Sequence, residues 1–136
     1  MPLLAAIAFA AAVSHATPAK PSDPAVDVCV KAAAATDHIA ITDVDRDACT
    51  CATKQLRSRL SHDDFDLHQQ MLQVIATGAD KKAFDKRMSD IMLKRGMNQQ
   101  MVDAFLARSK KAEDEAQGLC NASPLLGPSP LPRSGH

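Results

Sequence analysis

The stretch Asp47-Ala-Cys-Thr-Cys-Ala-Thr-Lys-Gln-Leu56 places Cys49 and Cys51 two residues apart in a segment with the pattern of a helix. On a helix of about 3.6 residues per turn, side chains two positions apart point about 200° away from each other. With the helical wheel centred on Ala52, the two cysteines lie at opposite edges of one apolar stripe. A Cys49–Cys51 bond would require unwinding the helix and is excluded, so each cysteine can reach a different neighbouring helix.

The chain has two further cysteines, Cys29 and Cys120, which complete an even set of four. In an exported chain, an even set predicts two disulfides. A thiolate metal site is the alternative, but zinc sites usually space paired cysteines as C-x2-C to C-x4-C, and C-x-C fits that spacing poorly. The sequence contains no C-x-x-C, so it has neither a thioredoxin-like redox motif nor a haem-attachment motif.

The helical wheel also predicts which cysteines pair. In an antiparallel hairpin, Cys29 lies level with residue 50, so both cysteines of the C-x-C are within its reach. Cys49 lies on the same edge of the apolar stripe as Leu56 and Leu60. This bulkier edge should face the long last helix, which carries Cys120. Cys51 lies on the opposite edge with Val44 and Ala48. These smaller side chains suit contact with the short first helix, which carries Cys29. We therefore predict the disulfides Cys29–Cys51 and Cys49–Cys120.

The beginning of the chain has the pattern of a signal peptide. An apolar run over 3–13 precedes Ser14-His15-Ala16, with small residues at the −3 and −1 positions of a cut after Ala16. No Lys or Arg precedes the run, so a misplaced start or a buried N-terminal helix is the alternative. The run is shorter than the ~20 residues of a membrane-spanning helix. We predict cleavage of residues 1–16, a periplasmic or secreted protein, and no stable membrane insertion afterwards.

Composition limits the class of partner. The chain of 136 residues suits one domain, and its 16 Lys and Arg balance 16 Asp and Glu, so no overall field attracts nucleic acid. The charges are distributed slightly unevenly along the chain. Residues 17–66 contain nine Asp and six basic residues, and residues 67–136 contain seven acidic and ten basic residues. No Trp or Tyr is present, which leaves almost no surface for base stacking. We expect a thin aliphatic core and no nucleic-acid partner.

The rest of the sequence predicts helices only. No stretch alternates strictly between apolar and polar residues, as a half-buried strand would. We predict a linker over 17–23, a helical domain over 24–120 and a disordered, Pro-rich tail over 121–136. The fold class is therefore all-α, a small disulfide-stapled bundle of about five helices.

Each predicted helix has a start signal, and several have an apolar face of helical period. The predicted N-caps are Asp23 (followed by Pro24), Thr42, Ser61, Asp80 and Asn98. Gly78 and Gly96 are placed to end the third and fourth helices. The predicted inner faces are Val26, Cys29, Val30 and Ala33 in the first helix, Phe84, Met88, Ile91 and Met92 in the fourth, and Phe105, Ala112, Ala116 and Leu119 in the last.

Three acids before the second helix resemble the start of a calcium loop. Asp43, Asp45 and Asp47 occupy positions 1, 3 and 5, but the sixth position is Ala48 rather than glycine and the twelfth is Lys54 rather than glutamate. We interpret them as acids that complement the N-terminus of a helix.

Four methionines, Met88, Met92, Met97 and Met101, follow one another at spacings of four, five and four. Thioethers bind Cu(I), which gives a copper-handling protein as one hypothesis. Methionine also fills gaps in cores that lack aromatic residues, and the first two share a face with apolar residues of the fourth helix. Core packing is the favoured interpretation.

The histidines are the remaining candidates for acid–base chemistry. We expect His62 to be solvated, and His68, on an apolar face, to be a hydrogen-bonded boundary residue; His38 has no distinguishing pattern. No G-x-S-x-G motif and no glycine-rich phosphate loop is present. The remaining cationic face is expected to be solvent-exposed: Lys82, Lys86 and Arg87.

These patterns favour a binding or interaction module whose partner is a protein of the cell envelope, with no enzymatic activity and no cofactor. The alternative is a periplasmic copper-handling protein with Met and Cys ligands. A small enzyme without a recognisable motif ranks third and would need a deep pocket containing His68 and a carboxylate. An exposed apolar patch of several hundred square ångströms would favour the interaction module.

Overall fold

The computed structural model describes residues 23–120, which form five α-helices and one short 3-10 turn. The helices are α1 Pro24–Asp37, α2 Arg46–Arg59, α3 His62–Ala76, α4 Lys81–Lys94 and α5 Gln99–Cys120, and the turn is Ile41–Asp43. No strand occurs in this part of the chain, so the predicted all-α bundle is confirmed. The predicted signal peptide (1–16), most of the linker and the tail (121–136) lie outside the described residues. No helix from 23 to 120 is both long and apolar enough to cross a membrane.

Four helices begin where a side chain was predicted to cap them, because each cap satisfies a backbone N–H that the helix itself leaves free. The capping bonds are Ala25 N to Asp23 Oδ1 (3.0 Å), Asp64 N to Ser61 Oγ (3.1 Å), Ala83 N to Asp80 Oδ1 (2.8 Å) and Met101 N to Asn98 Oδ1 (2.9 Å). Gly78 and Gly96 follow α3 and α4 at φ +72° and +69°, in the left-handed region that favours glycine.

The start of α2 differs from the prediction. Thr42 is not the cap, because it lies inside the 3-10 turn and Val44 after it is extended. The cap is Asp45, whose carboxylate accepts a hydrogen bond from Ala48 N at 3.1 Å. A carboxylate both satisfies this N–H and interacts with the positive end of the helix, so it outcompetes the hydroxyl three residues earlier.

The helices pack around three apolar clusters, with α1 and α4 lying mainly on α3, and α2 mainly on α5. The first cluster joins the start of α1 to α2, α3 and α5 through Ala25, Leu56, Leu60, Phe65, Ala112 and Ala116. The second joins α3, α4 and α5 through Leu67, Met71, Val74, Met88, Met92 and Phe105. The third joins α1 and α2 and contains the Cys29–Cys49 disulfide together with Val26 and Val30.

Leu119 is the one predicted inner-face residue of α5 that is exposed, with 61% of its surface accessible. The buried stripe of α5 ends at Ala116. Cys120, about 100° further around the helix, bonds to α2 and holds the last turn there, so Leu119 points away from the bundle.

The disulfides join Cys29 to Cys49 and Cys51 to Cys120, with Cα–Cα distances of 5.8 and 5.7 Å. The predicted pairing, Cys29–Cys51 and Cys49–Cys120, is therefore wrong. The excluded Cys49–Cys51 bond is not formed. Both disulfides leave α2 intact, and together they join it to α1 and α5.

The rotation of α2 explains the error in the pairing. Its buried face is Cys49, Ala52, Thr53 and Leu56, whose centre lies between Cys49 and Leu56, about 50° from the assumed centre at Ala52. The leucine edge faces not only α5 but also Ala25 at the start of α1. Cys49 therefore lies at the middle of the face that α1 covers, while Cys51 lies to the other side, within reach of α5.

Candidate functional site

Two of the three acids of the calcium-like segment lie at the N-terminus of the helix that follows them. Asp45 caps α2 and Asp47 lies in its first turn. From residue 23 to residue 120, no group of three or more His, Cys, Asp or Glu side chains is placed to hold a metal ion. The interpretation as acids that complement a helix N-terminus therefore holds for Asp45 and Asp47, whereas Asp43 lies in the 3-10 turn before α2.

The four methionines do not form one site. Met88 and Met92 are buried in the second cluster, as predicted for core packing, and Met97 packs half-buried against that cluster. Met101 is different, since 47% of its surface is exposed. All four cysteines are in disulfides, so none is a free thiolate ligand in this oxidised form.

His68 forms a buried polar pair with α5. It is fully buried, and its Nε2 lies 3.2 Å from Oε1 of Glu113, whose side chain is only 10% exposed. Ser109, one turn before Glu113, is also fully buried. Among the described residues, neither His68 Nδ1 nor Ser109 Oγ has a hydrogen-bond partner. His68 is hydrogen-bonded as predicted, but it lies in the core rather than at the boundary.

The other two histidines of the described range, His38 and His62, lie at the surface. His62 is solvated, as predicted, with its Nδ1 3.5 Å from a carboxylate oxygen of Asp66. His38 ends α1 in the left-handed conformation (φ 54°), and its backbone N–H donates to the carbonyl of Ala34. His38 therefore has a structural role as a C-cap.

One surface cleft, which we call the α5 cleft, has a volume of about 810 Å³. It lies between the α2–α3 turn and the first half of α5. Its floor is apolar and consists of Leu67, Met97, Met101 and Ala104. Its rim is charged and consists of Arg59, Asp63, Asp64, Arg95 and Arg108.

Ion pairs fix most of this rim. Arg108 donates two hydrogen bonds to the carboxylate of Asp64, at 2.7 and 3.1 Å, and this pairing raises the pKa of Arg108. Arg59 donates to Glu115 at 2.7 Å, which joins the end of α2 to α5. Arg95 forms no ion pair with any residue of the described range. The α5 cleft is therefore an apolar floor bordered by a mostly fixed charged rim with one unpaired cation.

The second cleft, the α4 cleft, has a volume of about 500 Å³ and lies between α3 and α4. Val74 and Ile91 form its apolar part, and the polar side chains of Gln70, Gln73 and Thr77 border it on α3. Its three charged residues are all cations: Arg87, Lys94 and Arg95. Arg87 Nη1 donates to Thr77 Oγ1 at 3.3 Å. The cleft is thus lined by positive charge without a carboxylate.

Neither cleft was predicted from the sequence, because each is formed by residues of different helices that come together only when the helices pack. The face of Lys82, Lys86 and Arg87 was predicted to be solvent-exposed. All three side chains are exposed, but Arg87 lines the α4 cleft and the two lysines do not. A local signal was present, because Arg87, Ile91 and Lys94 follow one another at helical spacing and form a mixed cationic and apolar stripe.

His68 and Glu113 line neither cleft, so the deep pocket that the enzyme hypothesis requires does not form around them in either place. No known protein family, no curated protein and no solved structure matches the chain. The function is therefore inferred from the geometry and chemistry of these surfaces.

Proposed function

We propose that the protein is an exported interaction module that binds a protein of the cell envelope through its α5 cleft. The observation that carries this proposal is the exposure of Met101 on an apolar floor that a charged rim surrounds. An apolar centre with a polar, charged border is the usual organisation of a protein-binding surface. Methionine suits such a surface because its flexible side chain adapts to the shape of a partner.

The cleft is also held in shape before any partner binds. The Cys51–Cys120 disulfide and the Arg59–Glu115 ion pair connect α2 to α5. The Arg108–Asp64 pair connects α5 to α3 across the rim. A preorganised surface loses less conformational entropy on binding, which favours affinity. The rigidity of the α5 cleft therefore supports a binding role.

Export is proposed on two grounds. Residues 1–16 have the pattern of a signal peptide, and two structural disulfides are typical of proteins in an oxidising compartment. Sequencing the N-terminus of the protein from its native cells should find a chain that begins near Thr17. An N-terminus at Met1 or Pro2 would contradict export by this route.

Binding ranks above the two alternatives for structural reasons. A copper site would need thioether ligands that converge, whereas Met88 and Met92 are buried in the core and Met101 is exposed. Catalysis by the buried histidine would need a path for substrate, but His68 is fully buried and lines neither cleft.

Two alanines of α5 allow a matched test of the α5 cleft. Ala104 and Ala107 are both exposed, but only Ala104 lines the cleft. A photo-crosslinking amino acid at position 104, in the protein expressed in its native cells, should capture a specific envelope protein. The same group at position 107 should not. A further substitution, Met101→Lys, should remove the product at 104, since it places a charge on the apolar floor.

Equal capture from positions 104 and 107 would contradict a role for the cleft, as would no capture from position 104. The folded state of each variant is checked by circular dichroism and by an intact mass that includes both disulfides. These controls separate loss of binding from loss of folding.

A further inference from the structure

The α4 cleft carries cations that no carboxylate of the described residues neutralises. In residues 23–120, Arg87, Lys94 and Arg95 form no ion pair. Asp90 lies near them on α4 but does not line the cleft. Three unpaired cations around an apolar floor give a surface that is complementary to an acidic segment with an apolar side chain.

A segment with those properties occurs on the same molecule. Residues 37–47 comprise the last residue of α1, the connection to α2 and the first two residues of α2, and we call them the acidic segment because they contain four Asp and only one Arg. That cation, Arg46, pairs with Asp27 of α1 rather than with an Asp of the segment. Ile39 and Ile41 are 41% and 54% exposed and belong to none of the three core clusters.

We infer that the acidic segment of one molecule docks into the α4 cleft of a second copy. Ile41, the more exposed isoleucine, would lie against Val74 and Ile91 on the cleft floor. Asp43, two residues away, would approach the cations at the cleft border. The association combines burial of exposed apolar side chains with pairing of charges that form no ion pair within residues 23–120 of one molecule.

The two surfaces differ, so this contact is heterologous. No residue of the acidic segment lines the α4 cleft, so the segment and the cleft are two separate surfaces of one molecule. A head-to-tail contact of this kind adds further copies until the rotation between them closes a ring. The association does not require the partner proposed for the α5 cleft.

Two double variants block one surface each. Arg87→Glu with Lys94→Glu reverses the charge of the cleft, and Ile41→Ser with Asp43→Asn removes the apolar and charged contacts of the segment. All four side chains are exposed, and Arg87 also donates a hydrogen bond to Thr77. Asp45 is left unchanged because it caps α2. Lys82→Glu with Lys86→Glu is the matched control, since it makes the same charge change on the same helix outside the cleft.

Sedimentation velocity at low ionic strength should show that the mean mass of the wild type rises with concentration and that high salt reduces it. Each blocked variant alone should remain monomeric, and the lysine control should associate like the wild type. An equimolar mixture of the two blocked variants should form a dimer and stop there, because only one cleft and one segment remain functional.

Three results would overturn the inference. One is a wild type that stays monomeric at millimolar concentration. Another is a mixture of the blocked variants that stays monomeric although each is folded by circular dichroism. The third is equal loss of association in the lysine control, which would make overall charge, rather than the cleft, responsible.

Discussion

The carboxylate of Asp23 accepts hydrogen bonds from two different helices. It caps α1, and it accepts hydrogen bonds from both terminal nitrogens of Arg57 on α2, at 2.9 and 3.2 Å. The guanidinium of Arg57 also lies over the ring of Phe65, 5.0 Å from its centre. The Arg57 hydrogen bond, followed by the backbone bond from Ala25, lowers the pKa of Asp23 from its ordinary value of 3.8. Asp23 therefore stabilises the folded state most when it is ionised.

The lowered pKa of Asp23 predicts how acid affects the stability of the fold. Because the pKa of Asp23 is lower in the folded than in the unfolded state, its contribution is complete above about pH 4 and is lost as the pH falls through the folded value. Asp23→Asn retains a good cap and removes the charge. At neutral pH, it should lower the free energy of unfolding by about 0.2–1 kcal/mol, since the pair is partly exposed and screened.

Urea unfolding at pH 7 and at pH 3 tests this prediction. The difference between wild type and Asp23→Asn should be present at pH 7 and should shrink at pH 3. Asp90→Asn is the control, because Asp90 is exposed and has no ion pair within the described range. An equal difference at both pH values would show that the ion pair is not its source.

His68 marks the limit of prediction for single residues. Its position on an apolar face indicated a hydrogen-bonded histidine, and this was correct. Its partner, Glu113, is 45 residues away in the sequence, and only the packing of α3 against α5 brings them together. Local pattern therefore predicted the need for a partner but not which residue supplies it.

At the scale of the elements, local chemistry predicted most helix boundaries. Caps such as Ser61 and Asp80 act on backbone groups within three residues, so the sequence alone contains the necessary information. The start of α2 was missed because Thr42 and Asp45 are both acceptable caps, and the 3-10 turn between them decides which one is used.

Two glycines should respond to alanine with opposite signs. Gly96 has φ +69°, where alanine costs about 1–2 kcal/mol of strain, and nothing lies within 4 Å of the added Cβ. Gly118 lies inside α5, and its added Cβ also meets nothing within 4 Å. Gly118→Ala should therefore stabilise the protein by about 0.5–1 kcal/mol, because alanine favours the helix more than glycine does.

Thermal unfolding followed by circular dichroism measures both changes. Gly96→Ala should lower the melting temperature and Gly118→Ala should raise it. Since neither Cβ meets a neighbour, a change of the same sign in both variants would mean that backbone conformation is not the dominant effect at these positions.

For the whole molecule, the sequence predicted the composition of the bundle better than its arrangement. Five helices and two disulfides follow from caps, periodicity and an even number of cysteines. The pairing depends on how far α2 is rotated, and the burial of Thr53 moves its inner face away from Ala52. The clefts depend on the same packing, because residues such as Arg95 and Gln70 meet only after α3 and α4 have docked.

The two disulfides should contribute unequally to stability. In the chain-entropy description, closing the Cys51–Cys120 loop, a separation of 69 residues, is worth about 4 kcal/mol. The Cys29–Cys49 loop, a separation of 20 residues, is worth about 3 kcal/mol. Cys51 and Cys120 are only half-buried, so replacing both by alanine removes the cross-link with little loss of core packing.

Urea unfolding of the Cys51→Ala, Cys120→Ala variant should show this loss, a large part of the ~5–15 kcal/mol typical of a domain. Peptide mapping of the unreduced wild type should recover fragments that join Cys29 to Cys49 and Cys51 to Cys120. A fragment joining Cys29 to Cys51 would contradict the pairing, and a stability that reductant leaves unchanged would contradict the predicted contribution of the disulfides.

The two disulfides also determine how the domain transmits mechanical tension. A pull on both ends would pass from Cys29 to Cys49 through one disulfide, along the backbone of Thr50 to Cys51, and through the other disulfide to Cys120. The segments between Cys29 and Cys49 and between Cys51 and Cys120 are bypassed by the disulfides, so they do not bear this tension. Tension is therefore borne by covalent bonds, and both clefts keep their shape under a pull that would unravel a bundle without cross-links.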